Sequence, residues 1–339
     1  MLINQDFAHS KHKSPAKRKL KLINTSIPNA KETIPSLEFE RATKLLKETL
    51  IRIDGAYAPS TIRAYKANFE RFITFCEKVS APALPSDSET VAKYIQELVK
   101  NNLKSASIRL AVASISTIHK LNELTDPSQQ PTAKLELRRM HRNLGRASKQ
   151  ALGITAPIIE KMILAMKNDL RGLRDQSLIL LAYDSLCRRS ELVSIKINDI
   201  VFNEARLPVC IRLRKSKTDQ EAIGKLICPT AKTQEAIKKW IDCSKVEKGF
   251  LFRGIRNNGC ITQGINPGQI NRIYKRLATR ANLSIEQIKN ISGHSVRVGA
   301  AQDLMLSGAS LPRLMQKGGW SKPDTAIRYV ENANYVREN

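Results

Sequence analysis

Apolar residues that recur at intervals of three and four constrain this chain most strongly, because only an α-helix gathers such positions on one face. After Pro59 they form a continuous stripe: Ile62, Tyr65, Phe69, Phe72, Ile73 and Cys76. The same period predicts four further helices in this part of the chain, over 36–53, from Ser86–Ser88, over 104–122 and over 131–146. These segments predict a compact helical bundle.

The second half of the chain contains a different pattern. Val209, Ile211 and Leu213 alternate with polar residues, which is the period of a half-buried strand. Ile200–Phe202 and Ile223–Cys228 can flank it, with the turn between the second and third strands near Lys217. The helices predicted around this sheet are 156–168, 173–186, 230–245, 266–281, 284–290, 294–307, 311–317 and 322–332. We therefore expect a mainly α fold with a small antiparallel β-sheet, made of an N-terminal helical bundle and a C-terminal α+β domain.

Helix-start signals and basic runs predict the domain boundaries. Thr155 followed by Pro157 is typical of a helix start, and the residues before it are basic and contain Gly145, Ser148 and Gly153. The N-terminal segment carries six Lys and Arg residues between Lys11 and Lys21 with no carboxylate, which is typical of a solvated tail. A nuclear-localisation signal is the alternative interpretation of that run. The predicted regions are a basic flexible tail (1–35), a helical domain (36–146), a linker (147–155) and a second domain (156–339).

The charge of the chain restricts its partners. A formal net charge of +26 over 339 residues favours a polyanionic partner, and nucleic acid is the first candidate. A membrane surface is the second candidate, but no apolar run approaches the roughly 18 residues of a spanning helix. No secretory signal follows Met1, so we expect a cytoplasmic protein.

The cysteines and histidines give little support for a metal site or disulfides. The six cysteines are scattered and form no CxxC pair, and the five histidines stand apart in sequence. Buried thiols in a reducing compartment are the simplest interpretation. We expect no metal and no other cofactor.

The segment Ser292–Ala301 predicts an anion site. On a helix, His294 and Arg297 stand three residues apart and share one face, close to a start marked by Gly293. A helix N-terminus favours anions, and the guanidinium fork of arginine matches phosphate oxygens. Tyr329 follows in the sequence, nine residues after Trp320. A phosphate, a base and a tyrosine together suggest phosphoryl transfer through a phosphotyrosine.

Three motifs in this order resemble the tyrosine recombinase (phage integrase) family, and within it the Cre-like site-specific recombinases. They are AYDSLCRRSEL around Arg188, RKSKT around Lys217, and SGHSVRVGAAQDL followed by LMQKGGW and Tyr329. The resemblance implies a helical core DNA-binding domain and a catalytic domain that close around a duplex as a C-shaped clamp. It also implies a homotetramer on two DNA sites. Ten residues follow Tyr329, so we expect only a short segment there for linking subunits.

The resemblance also implies roles for seven residues. Tyr329 would be the nucleophile, Arg188 and Arg297 would stabilise charge on the phosphate, and His294 would be the general base. Lys217 would be the general acid, Trp320 would donate an N–H to the phosphate, and Glu191 would orient the site from the same helix face as Arg188. The alternatives are Lys215 or Lys225 for the acid, Arg189 for the first arginine and Tyr335 for the nucleophile.

Basic and polar residues on the predicted helices are candidates for DNA contact, with ordinary solvated surface as the alternative for each. The helix over 266–281 is the candidate major-groove element, and its Gln269 and Asn271 are assigned to base edges by the resemblance alone. The full set is Arg63, Lys66, Lys104, Ser107, Arg109, Arg139, Arg142, Gln269, Asn271, Arg272, Lys275 and Arg276.

Three functions are compatible with these features. The first is a site-specific recombinase that cuts and rejoins double-stranded DNA at an inverted-repeat site through a 3′-phosphotyrosine and a Holliday junction. The second is a type IB topoisomerase with the same chemistry, and the third is an inactive DNA-binding accessory protein or repressor. The AYDSLCRRSEL and SGHSVRVGAA motifs favour the first over the second, and the complete set of catalytic residue types argues against the third. No P-loop motif is present in the sequence, so we expect the reaction to need neither ATP nor a metal. We expect a bacterial protein, encoded by a plasmid or phage and associated with the nucleoid.

Overall fold

The computed structural model describes residues 30–146, 150–214 and 224–331, with side chains from Leu37 onward. The chain divides into two compact units, Met1–Ser148 and Lys149–Asn339. Within the described residues, no helix combines the length and the apolar character needed to cross a membrane.

The first unit is a bundle of helices around an aromatic and aliphatic core. Phe69, Phe72 and Ile73 of the predicted stripe are buried, and the Phe72 ring lies 5.1 Å from that of Tyr94 on the next helix. His119 is also fully buried, where one ring nitrogen accepts the Ser86 N–H at 3.0 Å. The helices are α1 (Ala30–Arg52), α2 (Pro59–Lys78), α3 (Ser88–Lys100), α4 (Ser105–Leu121) and α5 (Pro131–Leu144).

Two helix boundaries in this unit differ from the prediction by more than one residue. The first helix begins at Ala30 rather than at residue 36, because Ala30, Lys31 and Glu32 are favourable helix formers that extend it ahead of Pro35. The fifth helix ends at Leu144 rather than at residue 146. Gly145 has a φ of 72°, a value that glycine adopts without strain, and this change of backbone direction ends the helix.

The second unit has a mostly helical core beside the predicted small sheet. The strands β1 (Ile200–Phe202), β2 (Pro208–Leu213) and β3 (Lys225–Ile227) form an antiparallel sheet in that order, which confirms the expected fold class. The helices are α6 (Ala156–Leu164), α7 (Leu170–Ser185), α8 (Arg189–Ser194), α9 (Ala231–Ser244), α10 (Pro267–Arg280), α11 (Ile285–Asn290), α12 (Ser295–Leu306), α13 (Leu311–Gly318) and α14 (Pro323–Val330).

Helix α7 is the centre of this unit. Its residues 178–182 are all buried, as their continuous apolar run predicted. The helix starts three residues earlier than expected because the Asp169 side chain caps it by accepting the Gly172 N–H at 2.7 Å. It ends at Ser185, where Leu186 adopts a left-handed conformation with a φ of 52°. This turn directs the chain toward Arg188 and a new helix.

Candidate active site

Arg188 lies at the turn between α7 and α8, and Glu191 holds it there. The prediction placed both residues on one helix face, but Arg188 is extended and immediately precedes α8, because Leu186 has already turned the chain. One carboxylate oxygen of Glu191 accepts the Arg188 N–H and the other accepts Nη1, both at 2.8 Å. Since the carboxylate is buried, it fixes the direction of the Arg188 side chain.

Arg297, in the first turn of α12, is 3% exposed, and two backbone carbonyls hold its guanidinium. Its Nη1 donates to the Leu186 oxygen and its Nη2 to the Gly318 oxygen, each at 2.5 Å. Its Nε is buried without a partner among the described residues. A buried cation with an unsatisfied donor is costly unless an anion completes its surroundings.

Aromatic rings lie on the Arg297 guanidinium. The guanidinium carbon is 4.6 Å from the centroid of the Trp320 ring and 5.6 Å from that of Tyr329. The two ring centroids are 4.7 Å apart. The phenol of the predicted nucleophile therefore packs against the arginine and the indole of its own chain. Tyr335, the rival nucleophile, lies outside the described residues.

Gly318 and Gly319 of the GGW motif determine the position of the Trp320 indole. A Cβ on Gly318 would lie 2.3 Å from two carbons of the Trp320 ring, so only glycine allows the ring to lie against this backbone. Gly319 has a φ of 61° and ends α13 in a left-handed conformation, which turns the chain toward Trp320.

His294 immediately precedes α12, and its side chain is exposed. Partial desolvation, followed by the positive charges of the neighbouring arginines, Arg189 foremost, lowers the pKa of the imidazole below its ordinary value. The ring is therefore neutral at pH 7 and able to accept a proton. Arg189, the alternative to Arg188 in the prediction, also lies near this histidine: its side chain contacts Gly293, and its charge acts on His294.

Of the three candidate lysines, the structure describes Lys225 alone. Lys217, the preferred one, and Lys215 lie outside the described residues. Lys225 stands at the start of β3 and lines the same cavity as Arg188 and Arg297. The preference for Lys217 followed from the resemblance, whereas the position of Lys225 depends on strand pairing that no local motif reveals.

A cavity of about 360 Å³ collects most of these groups. Arg188, Glu191, Lys225, Arg297 and Trp320 line it, together with the Gly318–Gly319 backbone. His294 and Tyr329 adjoin it: Tyr329 packs on two lining side chains, and His294 lies within electrostatic range of the arginines. Three cations and one carboxylate around one small space favour an anionic guest.

The predicted DNA-contacting residues of the first unit lie on its surface. The side chains of Arg63, Lys66, Lys104, Ser107, Arg109, Arg139 and Arg142 are exposed. Arg139 also pairs with the buried Glu136 carboxylate at 2.9 Å. With Arg142 it lines a basic groove of about 530 Å³, to which Arg138 and Arg146 contribute although they were not among the predicted contacts.

Some of the candidate residues on α10, the predicted major-groove helix, are exposed, and others pack against the rest of the unit. Gln269 and Arg272 are exposed, and Asn271, Lys275 and Arg276 are half-buried. Arg276 forms an ion pair with Asp175, a carboxylate 1% exposed on α7. The sequence did not predict this ion pair, because Asp175 and Arg276 are 101 residues apart in the chain. Arg276 thus fixes α10 to α7, whatever it contributes to DNA binding.

Comparison with known proteins decides the family. Residues 154–335 match the model of the phage integrase family, which is more than half of the chain. The chain is a tyrosine recombinase of the phage integrase family. Residues 47–122 also match the N-terminal SAM-like domain of phage integrases. This recombinase is therefore a DNA-cleaving and DNA-rejoining enzyme that acts at specific sites.

Relatives of this recombinase extend over most of its length. Recombinase cre of Escherichia phage P1 is 23% identical over 320 residues, which cover 89% of this chain and 93% of the relative. An integrase/recombinase xerD homolog of Selenomonas ruminantium is 26% identical over 320 residues, covering 90% and 91%. The similarity therefore spans both units.

Solved structures share the fold of this recombinase at low identity. XerH site-specific recombinase, bound to a palindromic difH substrate, superimposes with a TM-score of 0.61 at 16% identity, covering 88% of this chain and 83% of that one. A lambda integrase tetramer bound to a Holliday junction gives a TM-score of 0.59 at 15% identity, covering 86% and 77%. These likenesses support the fold class expected from the sequence.

Proposed function

We propose that this recombinase cuts one DNA strand by attack of Tyr329 on a backbone phosphate held in the cavity beside Arg188 and Arg297. The observation that carries the proposal is the arrangement of Arg297, which is buried against the rings of Trp320 and Tyr329 with an unsatisfied Nε. A phosphate at this point would satisfy the arginine and bring phosphorus close to the phenol.

Charge develops on the non-bridging oxygens of the phosphate as the new bond forms. Arg188, directed by Glu191, and Arg297 each offer N–H donors to these oxygens, and neither loses its proton at neutral pH. The Trp320 indole N–H is the further donor that the resemblance assigns to the phosphate. Pre-positioned donors of this kind stabilise the transition state more than the ground state.

The proton transfers follow from the same assignment. The hydroxyl proton of Tyr329 passes to the neutral His294 imidazole while the phenolic oxygen bonds to phosphorus. The P–O5′ bond then breaks with its electron pair on O5′, which takes a proton from Lys217. The product is a 3′-phosphotyrosine and a free 5′-hydroxyl. Reversal with another 5′-hydroxyl rejoins the strand, so we propose that neither ATP nor a metal is needed.

DNA binding is assigned to both units. We propose that the region 36–146 is the core DNA-binding domain, that 156–339 is the catalytic domain, and that 147–155 links them. The exposed basic residues of α2, α4 and α5 support this, since neutralised phosphates release counterions on binding. We further propose an inverted-repeat site, a homotetramer on two such sites with a Holliday junction between the two strand exchanges, and action in the nucleoid of a bacterial host.

A suicide substrate tests the proposed function. Its nick lies just 3′ of the cleavage position, so a short fragment diffuses away after cleavage and the covalent protein–DNA adduct accumulates. We expect an adduct from the unaltered protein and none from Tyr329→Phe, which lacks only the nucleophilic oxygen. A gel-shift measurement should show that the variant binds DNA with unchanged affinity. Adduct from Tyr329→Phe would reject Tyr329 as the nucleophile and direct attention to Tyr335.

A further inference from the structure

Lys225 on β3 and Arg297 on α12 donate hydrogen bonds to the same two chain segments. Its Nζ donates to the Ser185 oxygen at 3.1 Å and also to the Lys317 oxygen. Arg297 donates to the next carbonyl along each segment, those of Leu186 and Gly318. The end of α7 and the end of α13 are therefore joined by two cations side by side, one from β3 and one from α12.

These two hydrogen bonds do not use all the donors of Lys225. An ammonium group has three N–H donors, and the described residues accept two of them. Lys225 also lines the 360 Å³ cavity together with Arg188 and Arg297. Its remaining donor is thus available to a guest of that cavity.

The burial of these cations and their closeness to one another favour an anion as that guest. Burial first, and then the charge of Arg297, lowers the pKa of Lys225, while Glu191 acts in the opposite direction. Burial and the charge of Arg188 likewise lower the pKa of Arg297. Like charges kept this close in a half-buried site destabilise one another, and a bound phosphate relieves all of them together.

We propose that Lys225 is a further catalytic residue of this recombinase, whose ammonium donates to a non-bridging oxygen of the scissile phosphate beside Arg188 and Arg297. The assignment rests on the proposed function of the cavity as the phosphate site. It is separate from the role of Lys217, which concerns the leaving O5′ atom. A purely structural anchor between α7 and α13 is the competing explanation.

The test combines a substitution with a change in the substrate. Lys225→Gln removes the positive charge, and a methylphosphonate at the scissile position replaces one charged oxygen with a neutral methyl group. On ordinary DNA we expect Lys225→Gln to form the Tyr329 adduct about 100-fold more slowly in a single turnover. On methylphosphonate DNA the two proteins should differ by no more than about threefold, because the charged partner is already absent.

Controls separate this contact from other effects. Lys225→Arg keeps a charged donor and should recover most of the rate. Lys239→Gln removes one exposed charge on α9, outside the cavity, and should cleave at the rate of the unaltered protein. Circular dichroism and thermal melting check folding. If the Gln variant does not fold, Lys225→Met, which retains the length of the aliphatic stem, carries the same comparison.

Two results would overturn the assignment. A variant without the ammonium that cleaves ordinary DNA at the unaltered rate would show that Lys225 does not touch the phosphate. An equal loss on ordinary and methylphosphonate DNA would show that Lys225 acts only as a structural anchor. Both results presuppose a Tyr329 adduct from the unaltered protein on ordinary DNA. Failure of that adduct would instead reject the proposed function.

Discussion

Two of the cationic residues around the cavity, Lys225 and Arg297, are fixed by carbonyls that lie far from them in sequence. Arg297 depends on the carbonyls of Leu186 and Gly318, which are 111 and 21 residues away. Glu191 fixes Arg188 from only three residues away. The family motifs predicted the residue types at these positions, but only the fold identifies the carbonyls that hold them.

The pKa of His294 gives a prediction at the scale of one residue. Because this pKa is lowered, the imidazole stays neutral as the pH falls from 8 to its ordinary pKa of about 6.5 and becomes protonated only at lower pH. A general base must be neutral, so the second-order rate of adduct formation should stay level over that range and decline below it. This rate reports the free enzyme, and it is measured with DNA well below saturation.

His294→Gln is the matched variant for the pH profile. It should slow adduct formation by at least about 100-fold and remove the decline on the acidic side. A decline whose midpoint lies above 6.5 in the unaltered protein would contradict the lowered pKa. A decline that persists in the Gln variant would assign the titration to another group.

The boundaries of the helices and the contacts between them differ in how far the sequence predicts them. Asp169 and Gly145 set the start of α7 and the end of α5 through local chemistry, but the apolar periodicity that predicted these helices missed both boundaries. The predicted start of α1 was wrong because the helix formers ahead of Pro35 extend the helix back to Ala30. The ion pair between Asp175 and Arg276 could not be predicted, since it depends on how α7 and α10 pack.

The junction of α13 and Trp320 gives a prediction at the scale of an element. Gly318→Ala would place a Cβ 2.3 Å from carbons of the Trp320 ring, so the ring must move away from its position against Arg297. Displacement of a catalytic group by about 1 Å can cost about 100-fold in rate. We therefore expect adduct formation to fall by about 100-fold. Gel-shift affinity for DNA should be unchanged.

Gly308→Ala is the matched control for this substitution. Gly308 follows α12 with a φ of 85°, and an added Cβ there meets nothing within 4 Å. This variant should lose about 1 kcal/mol of stability through backbone strain while its cleavage rate stays normal. Equal cleavage rates for the two variants would contradict the assigned role of the Trp320 position.

At the scale of the whole molecule, the sequence predicted the fold class and the family but not every member of the site. The spacing of apolar residues predicts which face of each helix or strand is buried. These buried faces pack together and so determine the helical bundle and the position of the sheet. Motif spacing predicted His294, Arg297, Trp320 and Tyr329 as site residues because these lie close together in sequence. Lys225 and Arg189 were only alternatives in that prediction, since each reaches the site through tertiary packing.

The central claim is that the cavity of the second unit holds a DNA backbone phosphate where the phenol of Tyr329 can attack it. The most direct measurement is protease and nuclease digestion of the trapped adduct, followed by mass spectrometry of the modified peptide. The claim predicts that Tyr329 carries the nucleotide through the phosphate at its 3′ end. A nucleotide on Tyr335 or on any other residue, or a linkage through a 5′ phosphate, would contradict it.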